Sequence, residues 1–244
     1  MINIDKNTKG VAMLDRAQWF LAGMSITLLV QLSQPVAAVV PVAKVLQTAQ
    51  TKSTDAAETA FKEGEKLYQQ GTPEAKRGAI VKFEQALKLY REVGDHSREA
   101  VALNNIGRIY SELGEKQKAL EYYSQSLPLS QAVGNRREEA TSLNNIGLIY
   151  SELGEKQKAL EYYSQSLSLS QEVGNRREEA TSLNNIGLIY SELGEKQKAL
   201  EYYSQSLSLL RAADDRQGEA LTLNNIGSLY DDLGQEQKAL EYYS

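Results

Sequence analysis

Cysteine is absent from the 244 residues, so the chain can form no disulfide, no thiolate metal site and no cysteine nucleophile. Histidine occurs once, as His96, in the loop Gly94-Asp95-His96-Ser97 with no second ligand nearby, which argues against a metal site. A Gly-x-Ser-x-Gly elbow, a phosphate loop and a His-Glu-x-x-His pair are all missing. So is any excess of basic residues: Lys and Arg total 27 against 32 Asp and Glu, a mild net charge of −5. A nucleic-acid partner would need a basic stripe. Together these absences leave no residues for catalysis, no cofactor or metal, and no nucleic-acid partner.

What the chain does contain is one stretch written several times. Residues 143–167, LNNIGLIYSELGEKQKALEYYSQSL, recur unchanged at 183–207 and with the single change Arg108 for Leu148 at 103–127. A worn copy, LNNIGSLYDDLGQEQKALEYYS, starts at 223. A fixed period in this range signals a solenoid, in which each unit packs on its neighbours and no single central core is needed. Within a unit, Leu143, Ile146, Tyr150 and Leu153 are spaced as one face of a helix, and Gly154 suits the left-handed residue that ends it. A second helix starts near Lys156 and carries Ala159, Tyr163, Leu167 and Val173 on one stripe. Gly174 ends it, and Asn175 with Glu178 forms an Asn-x-x-Glu start for the next helix. Gly147 lies inside the first helix, where glycine costs roughly 1 kcal/mol against alanine. Its return at 107, 187 and 227 predicts a close helix crossing, Gly147 against Ala159.

At Leu143, Ile146, Gly147, Tyr150, Ala159 and Tyr163 the unit resembles the tetratricopeptide repeat family. Ser166 replaces the family's usual alanine, and the usual proline near the end of the second helix is missing. The Leu-Asn-Asn-hydrophobic-Gly opening and the longer unit are similar to the forty-residue repeats of kinesin light chains. The resemblance implies an all-α, right-handed α-solenoid of antiparallel helix pairs that acts as a protein-binding scaffold. It covers residues 100–244 strongly and 57–99 weakly.

In chain order, a slightly basic start precedes the apolar run Trp19 to Val30 and the small residues around Ala37-Ala38. This order predicts a signal peptide over 1–38 and an exported, periplasmic or secreted product with no membrane attachment after cleavage. An uncleaved membrane anchor is the alternative, though Gln31 to Pro35 interrupt the run short of the roughly 20 apolar residues a span needs. Residues 39–56 show no sustained period and are expected to be a linker. Residues 57–99 form a divergent first repeat, with Ala79 and Phe83 in phase with Ala159 and Tyr163. Three near-identical repeats fill 100–139, 140–179 and 180–219, and an incomplete one spans 220–244.

The candidate site follows from the resemblance, because in this family the first helices of successive repeats line a concave groove. The matching positions are Thr141, Asn144, Asn145, Leu148, Ser151 and Glu152. Asn104/Asn105, Asn144/Asn145, Asn184/Asn185 and Asn224/Asn225 would run along it as a ladder of amides suited to a peptide backbone. The first of each pair is expected in the groove; the second could equally bridge helices within the protein. Arg108, Leu148, Leu188 and Ser228 would give the groove a cationic end, an apolar middle and a polar end. Of the paired tyrosines, Tyr163 is expected in the core and Tyr162 against the next repeat. Glu155, Glu178 and Glu179 read as helix-start residues that offset the dipole.

Two functional readings result. The first is a non-enzymatic scaffold that holds a protein or peptide partner in the groove, its oligomeric state left open. In the second, the repeats are the sensor region of a larger signalling protein. Similar repeats precede caspase-like (CHAT) domains in bacterial, notably cyanobacterial, proteins, and the histidine and cysteine of such a domain would lie beyond Ser244.

Overall fold

A computed structural model describes the backbone of residues 36–244 and the side chains from Lys44 onward. The expected signal peptide lies, up to residue 35, outside the described residues. Two compact units are distinguished, Met1–Lys52 and Ser53–Ser244, and all the repeats lie in the second. The first described helix, α1, runs Val36–Tyr68. Residues 39–56 are therefore helical and not an irregular linker. From Ala43 to Lys52 the segment includes the good helix formers Ala43, Lys44, Leu46, Gln47, Ala49, Gln50 and Lys52, and Thr48 and Thr51 satisfy their hydroxyls on the carbonyls of Lys44 and Gln47. Among the described residues no helix is long and apolar enough to cross a membrane.

The remaining helices are α2 (Pro73–Val93), α3 (His96–Glu112), α4 (Lys116–Ala132), α5 (Arg136–Glu152), α6 (Lys156–Glu172), α7 (Arg176–Glu192), α8 (Lys196–Ala212), α9 (Arg216–Asp232) and α10 (Glu236–Tyr243). From α2 onward each packs on the next along the chain. Local chemistry sets the boundaries. Asp95, Asn135, Asn175 and Asp215 cap the first helix of a repeat by accepting from the backbone N–H three residues on. The helix ends close on glycines in the left-handed region, Gly154 at φ 77° and Gly174 at φ 68°. Asp214 stands where Gly134 and Gly174 stand and reaches φ 53° without glycine's freedom. Leu153 and Val173, expected on the buried stripes, are exposed because each sits at the helix end, past the last packed turn.

The apolar clusters lie between repeats. Ala159 and Tyr163 of α6 pack with Ile186 and Ile189 of α7; Ala119 and Tyr123 pack with Ile146 and Ile149, and Ala199 and Tyr203 with Ile226 and Leu229. Each repeat thus supplies the cover for its neighbour, which is why a solenoid needs no central core. The close crossing at Gly147 is present, with the Tyr163 ring as the nearest neighbour; at the equivalent Gly187 the Ala199 carbonyl oxygen, expected from the sequence, also comes within 3.3 Å of where a Cβ would stand. A Cβ on Gly147 would stand 2.8 Å from Cδ1 and Cε1 of the Tyr163 ring. Gly107 meets Tyr123 and Gly187 meets Tyr203 in the same way. Gly64 of α1 repeats the arrangement against Phe83, even though it is displaced by three residues from the array's phase. Tyr162 stacks on Tyr150 of its own repeat, ring centroids 5.4 Å apart, and not on the next repeat. Ser166 uses the position usually given to alanine to donate a buried hydrogen bond, 2.8 Å, to the Ala140 carbonyl.

Candidate functional site

On α5, Glu138, Thr141, Asn145, Leu148 and Glu152 all have solvent access and are spaced three or four apart, hence on one stripe. The same stripe on α7 holds Glu178, Thr181, Asn185, Leu188 and Glu192, and on α3 it holds Arg98, Val101, Asn105, Arg108 and Glu112. Adjacent first helices therefore lay these stripes side by side. Leu148 and Leu188 are 37% and 38% exposed, although every other Leu or Ile between the caps of α5 and α7 is buried. Arg108 is exposed and spreads over the Tyr68 ring, 4.5 Å from its centroid, while its guanidinium donates to Asn105 Oδ1.

The first asparagine of each pair is not on this face. Asn104, Asn144 and Asn184 are only 5%, 7% and 8% exposed, because a step of one residue along a helix turns the side chain by about 100° toward the next repeat. There they join helices: Asn185 Nδ2 donates to Asn144 Oδ1 at 3.1 Å, and Asn225 Nδ2 to Asn184 Oδ1 at 3.1 Å. Thr222 Oγ1 also donates to Asn184 Oδ1, and Asn104 donates to Ser142 Oγ at 2.8 Å. Asn224 is exposed, with no further first helix beside it among the described residues. The second asparagines (Asn105, Asn145, Asn185 and Asn225) are partly buried at the edge of the stripe. The ladder is thus mainly internal glue. Its signal in the sequence is the small hydroxyl residue at 142, 182 and 222, two residues before the pair.

The acidic residues of the stripe fall into two kinds. Glu112, Glu152 and Glu192 near the helix ends are each paired with a lysine of the second helix beside them, Lys76 at 2.9 Å, Lys116 at 3.2 Å and Lys156 at 3.3 Å. Glu138 and Glu178 near the helix starts have no such cation among the described residues. Glu138 accepts a short hydrogen bond from the Asn104 amide, while Glu178 is held up by burial and by the charge of Glu138. Burial raises both carboxyls above the ordinary 4.5, only partly offset at Glu138 by Asn104 and Arg108. Both carboxyls stand in the first turn of their helices, as the sequence suggests for Glu178, beside Glu139 and Glu179, which carry the local contacts to Arg136 and Gln171. Glu138 and Glu178 are the functional candidates that sequence spacing alone passed over.

The raised carboxyls make stability depend on pH. A carboxyl whose folded pKa exceeds its unfolded value binds more protons folded than unfolded between the two, so stability falls as pH rises through that window. Acidification from neutral toward about 4.5 should therefore recover stability through Glu138 and Glu178. Paired carboxylates such as Glu99, lowered by Arg91 and His96 against the raising effect of its burial, act in the opposite sense. The comparison is thus made with E138Q/E178Q. Urea midpoints at pH 5 and pH 7 should show the variant gaining on the parent at pH 7 and not at pH 5. An equal offset at both pH values would place these carboxyls in water.

Helix pairs repeated every forty residues, each covering its neighbour, define an α-solenoid whose first helices present a continuous mixed polar and apolar face. The profile of the Tetratricopeptide repeat family matches residues 78–132, 117–172, 138–212 and 179–244, and the chain belongs to that family. No curated protein sequence matches it. Among solved structures it is similar to a Rap protein complexed with Competence and Sporulation Factor, at 18% identity and TM-score 0.68, over 77% of this chain and 52% of that one. Aspartyl phosphate phosphatase F from Bacillus subtilis is similar at 17% identity and TM-score 0.65, covering 82% and 63%. A kinesin light chain-like protein of Podosopora anserina with nearly identical TPR-like repeats aligns at 16% identity and TM-score 0.56, covering 79% and 92%. At these identities the likeness is one of fold. The chain spans about half of the Rap protein's length.

Proposed function

We propose that this chain is a non-enzymatic interaction scaffold that holds a segment of a partner protein along the stripe of its first helices. The observation that supports it most is the pair Leu148 and Leu188, two exposed leucines in register that alternate along α5 and α7 with the amides, hydroxyls and carboxyls of the same stripe. Apolar anchors spaced among hydrogen-bonding groups suit a peptide whose side chains insert while its backbone meets amides. A solved structure of similar fold is a Rap protein in complex with a factor, so the fold is compatible with such a role. The same face would serve as the sensing surface were the repeats part of a larger signalling protein.

A peptide selected on the chain from a displayed random library should lose binding to L148R/L188R, with a melting temperature close to the parent's. Retained affinity in that variant, or loss only when Tyr162 and Tyr202 on the opposite side are changed, would move the site to the second helices. Export is proposed on the same footing as the scaffold. Intact mass of material recovered from a secreting host should correspond to a chain starting near Val39, and recovery of the uncut chain alone would count against it.

A further inference from the structure

We infer that the groove is built for a cationic side chain, a lysine or arginine of the partner segment, seated at Glu138 and Glu178 beside the two exposed leucines. This rests on the groove reading above and adds the chemistry of its occupant. Four observations carry it. Glu138 and Glu178 lie on the same stripe as Leu148 and Leu188, so an occupant touching the leucines passes the carboxyls. Among the described residues no lysine or arginine forms an ion pair with either, whereas Glu112, Glu152 and Glu192 on that stripe each have a lysine. Arg108 acts on Glu138 only through its field and is committed to Tyr68 and Asn105.

The fourth observation is the amide ladder at this point. A carboxylate only accepts, so Asn104 must turn its amide nitrogen to Glu138. That leaves Asn104 Oδ1, in a side chain more than nine-tenths buried, without a donor. In the next two rungs the corresponding oxygens, on Asn144 and Asn184, receive the amides of Asn185 and Asn225. The rung between Asn104 and Asn145 is open, and it opens beside Glu138. An unpaired acceptor and, beside it, a carboxylate that has an amide donor but no ion-pair partner both take further donors, and an ammonium or guanidinium supplies several with the right charge. Unpaired half-buried charges are destabilising by themselves, and a bound cation offsets that. The pattern is particular to α5 and α7: the position is Arg98 on α3, already paired with Glu58 at 2.8 Å, and Gly218 on α9.

The test uses the full chain and three fluorescein-labelled peptides read by anisotropy at low salt: Leu-Gln-Lys-Leu-Gln-Lys-Leu, its Lys→Gln version and its Lys→Glu version. The basic peptide should bind about tenfold more tightly than the neutral one, roughly the effect of one hydrogen bond to a charged group, with the acidic peptide weakest. E138Q/E178Q should remove that advantage, while E152Q/E192Q, which alters the lysine-paired carboxylates of the same stripe, should leave it. If all three peptides bind alike and all are lost in L148R/L188R, the groove stands and the cationic preference is wrong. If the basic peptide binds but ignores both E138Q/E178Q and L148R/L188R, it is held by the general acidity of the surface and the inference falls. Absence of any binding overturns it as well, and leaves the groove to the library selection.

Discussion

Leucine placed at Gly147 and Gly187 together should lower the melting temperature by roughly 10 °C, while alanine at the neighbouring Leu148 and Leu188 should barely move it. The two pairs are adjacent in sequence and differ only in which way the helix turns them. At Gly147 and Gly187 even a Cβ would stand 2.8 Å from Tyr163 and Tyr203 ring carbons, inside van der Waals contact. The rings cannot swing away, being 1% exposed and packed against Ile186, Ile189, Ile226 and Leu229. Overpacking of this kind costs about 1–3 kcal/mol per site. Replacing a mid-helix glycine returns roughly 1 kcal/mol of helix propensity, so alanine could break even and leucine, with three more carbons to place, should not. Leu148 and Leu188 are more than a third exposed, and surface changes stay within about 0.5 kcal/mol. Thermal melts by circular dichroism decide it. If ring contact is the cause, Tyr163→Ala and Tyr203→Ala should cost less when added to the leucine pair than when made in the parent. Equal melting temperatures for the glycine and leucine pairs would mean the helix faces are assigned wrongly.

That crossing is half legible in the amino-acid sequence. The glycine's recurrence at a fixed place predicts close approach, because repetition rules out accident. It does not say which residue approaches, and Tyr163, four positions beyond Ala159 on the same stripe, reaches back over the glycine. Side chains on a helix lean toward its N-terminus, so the residue covering a spot lies later in sequence than spacing alone suggests. The asparagine pairs fail for a related reason. Both residues are polar, and polarity reads as exposure. Yet Asn144 is buried because the neighbouring repeat brings Asn185 to meet it, and no periodicity within one unit contains that contact. Glu178 is the reverse case. Its place after a capping asparagine suggests a dipole role, and only the repeat-on-repeat stacking reveals that it is half-buried, close to Glu138 and short of a cation. In a solenoid the fold is written within a unit, but the site is written between units.

The same relation between units governs the C-terminal end of the described chain. Completing α10 with the residues that follow Ser164 in α6, 165–174, should raise the melting temperature by a few degrees and slow amide exchange at Ile226 and Tyr230. Ser244 aligns with Ser164, so α10 stops where α6 has two further turns. The loss is visible at Ala220, which is exposed although Ala140 and Ala180 are 0% exposed. In those repeats Ser166 and Ser206 reach over and donate to the alanine carbonyl at 2.8 Å, and an appended serine would do the same at Ala220. Tyr243 shows it too, at 46% exposed against 1% for Tyr163. Ile226 and Leu229, by contrast, are already 2% and 1% exposed, because α8 covers them. Exchange should therefore be fastest across α10 and only intermediate in α9, with the strongest protection over α5 to α8. An added leucine that becomes buried contributes roughly 1.5–3 kcal/mol, part of which is offset by the ordering of the added residues. Because repeat arrays sum unit and neighbour terms, the gain should appear first in α9 and fade toward α5. An extension with its leucines changed to serine controls for length alone. If both extensions leave Ile226 and Tyr230 exchanging as before, α8 by itself holds the last helix pair, and stability here does not pass from one helix of a repeat to its mate.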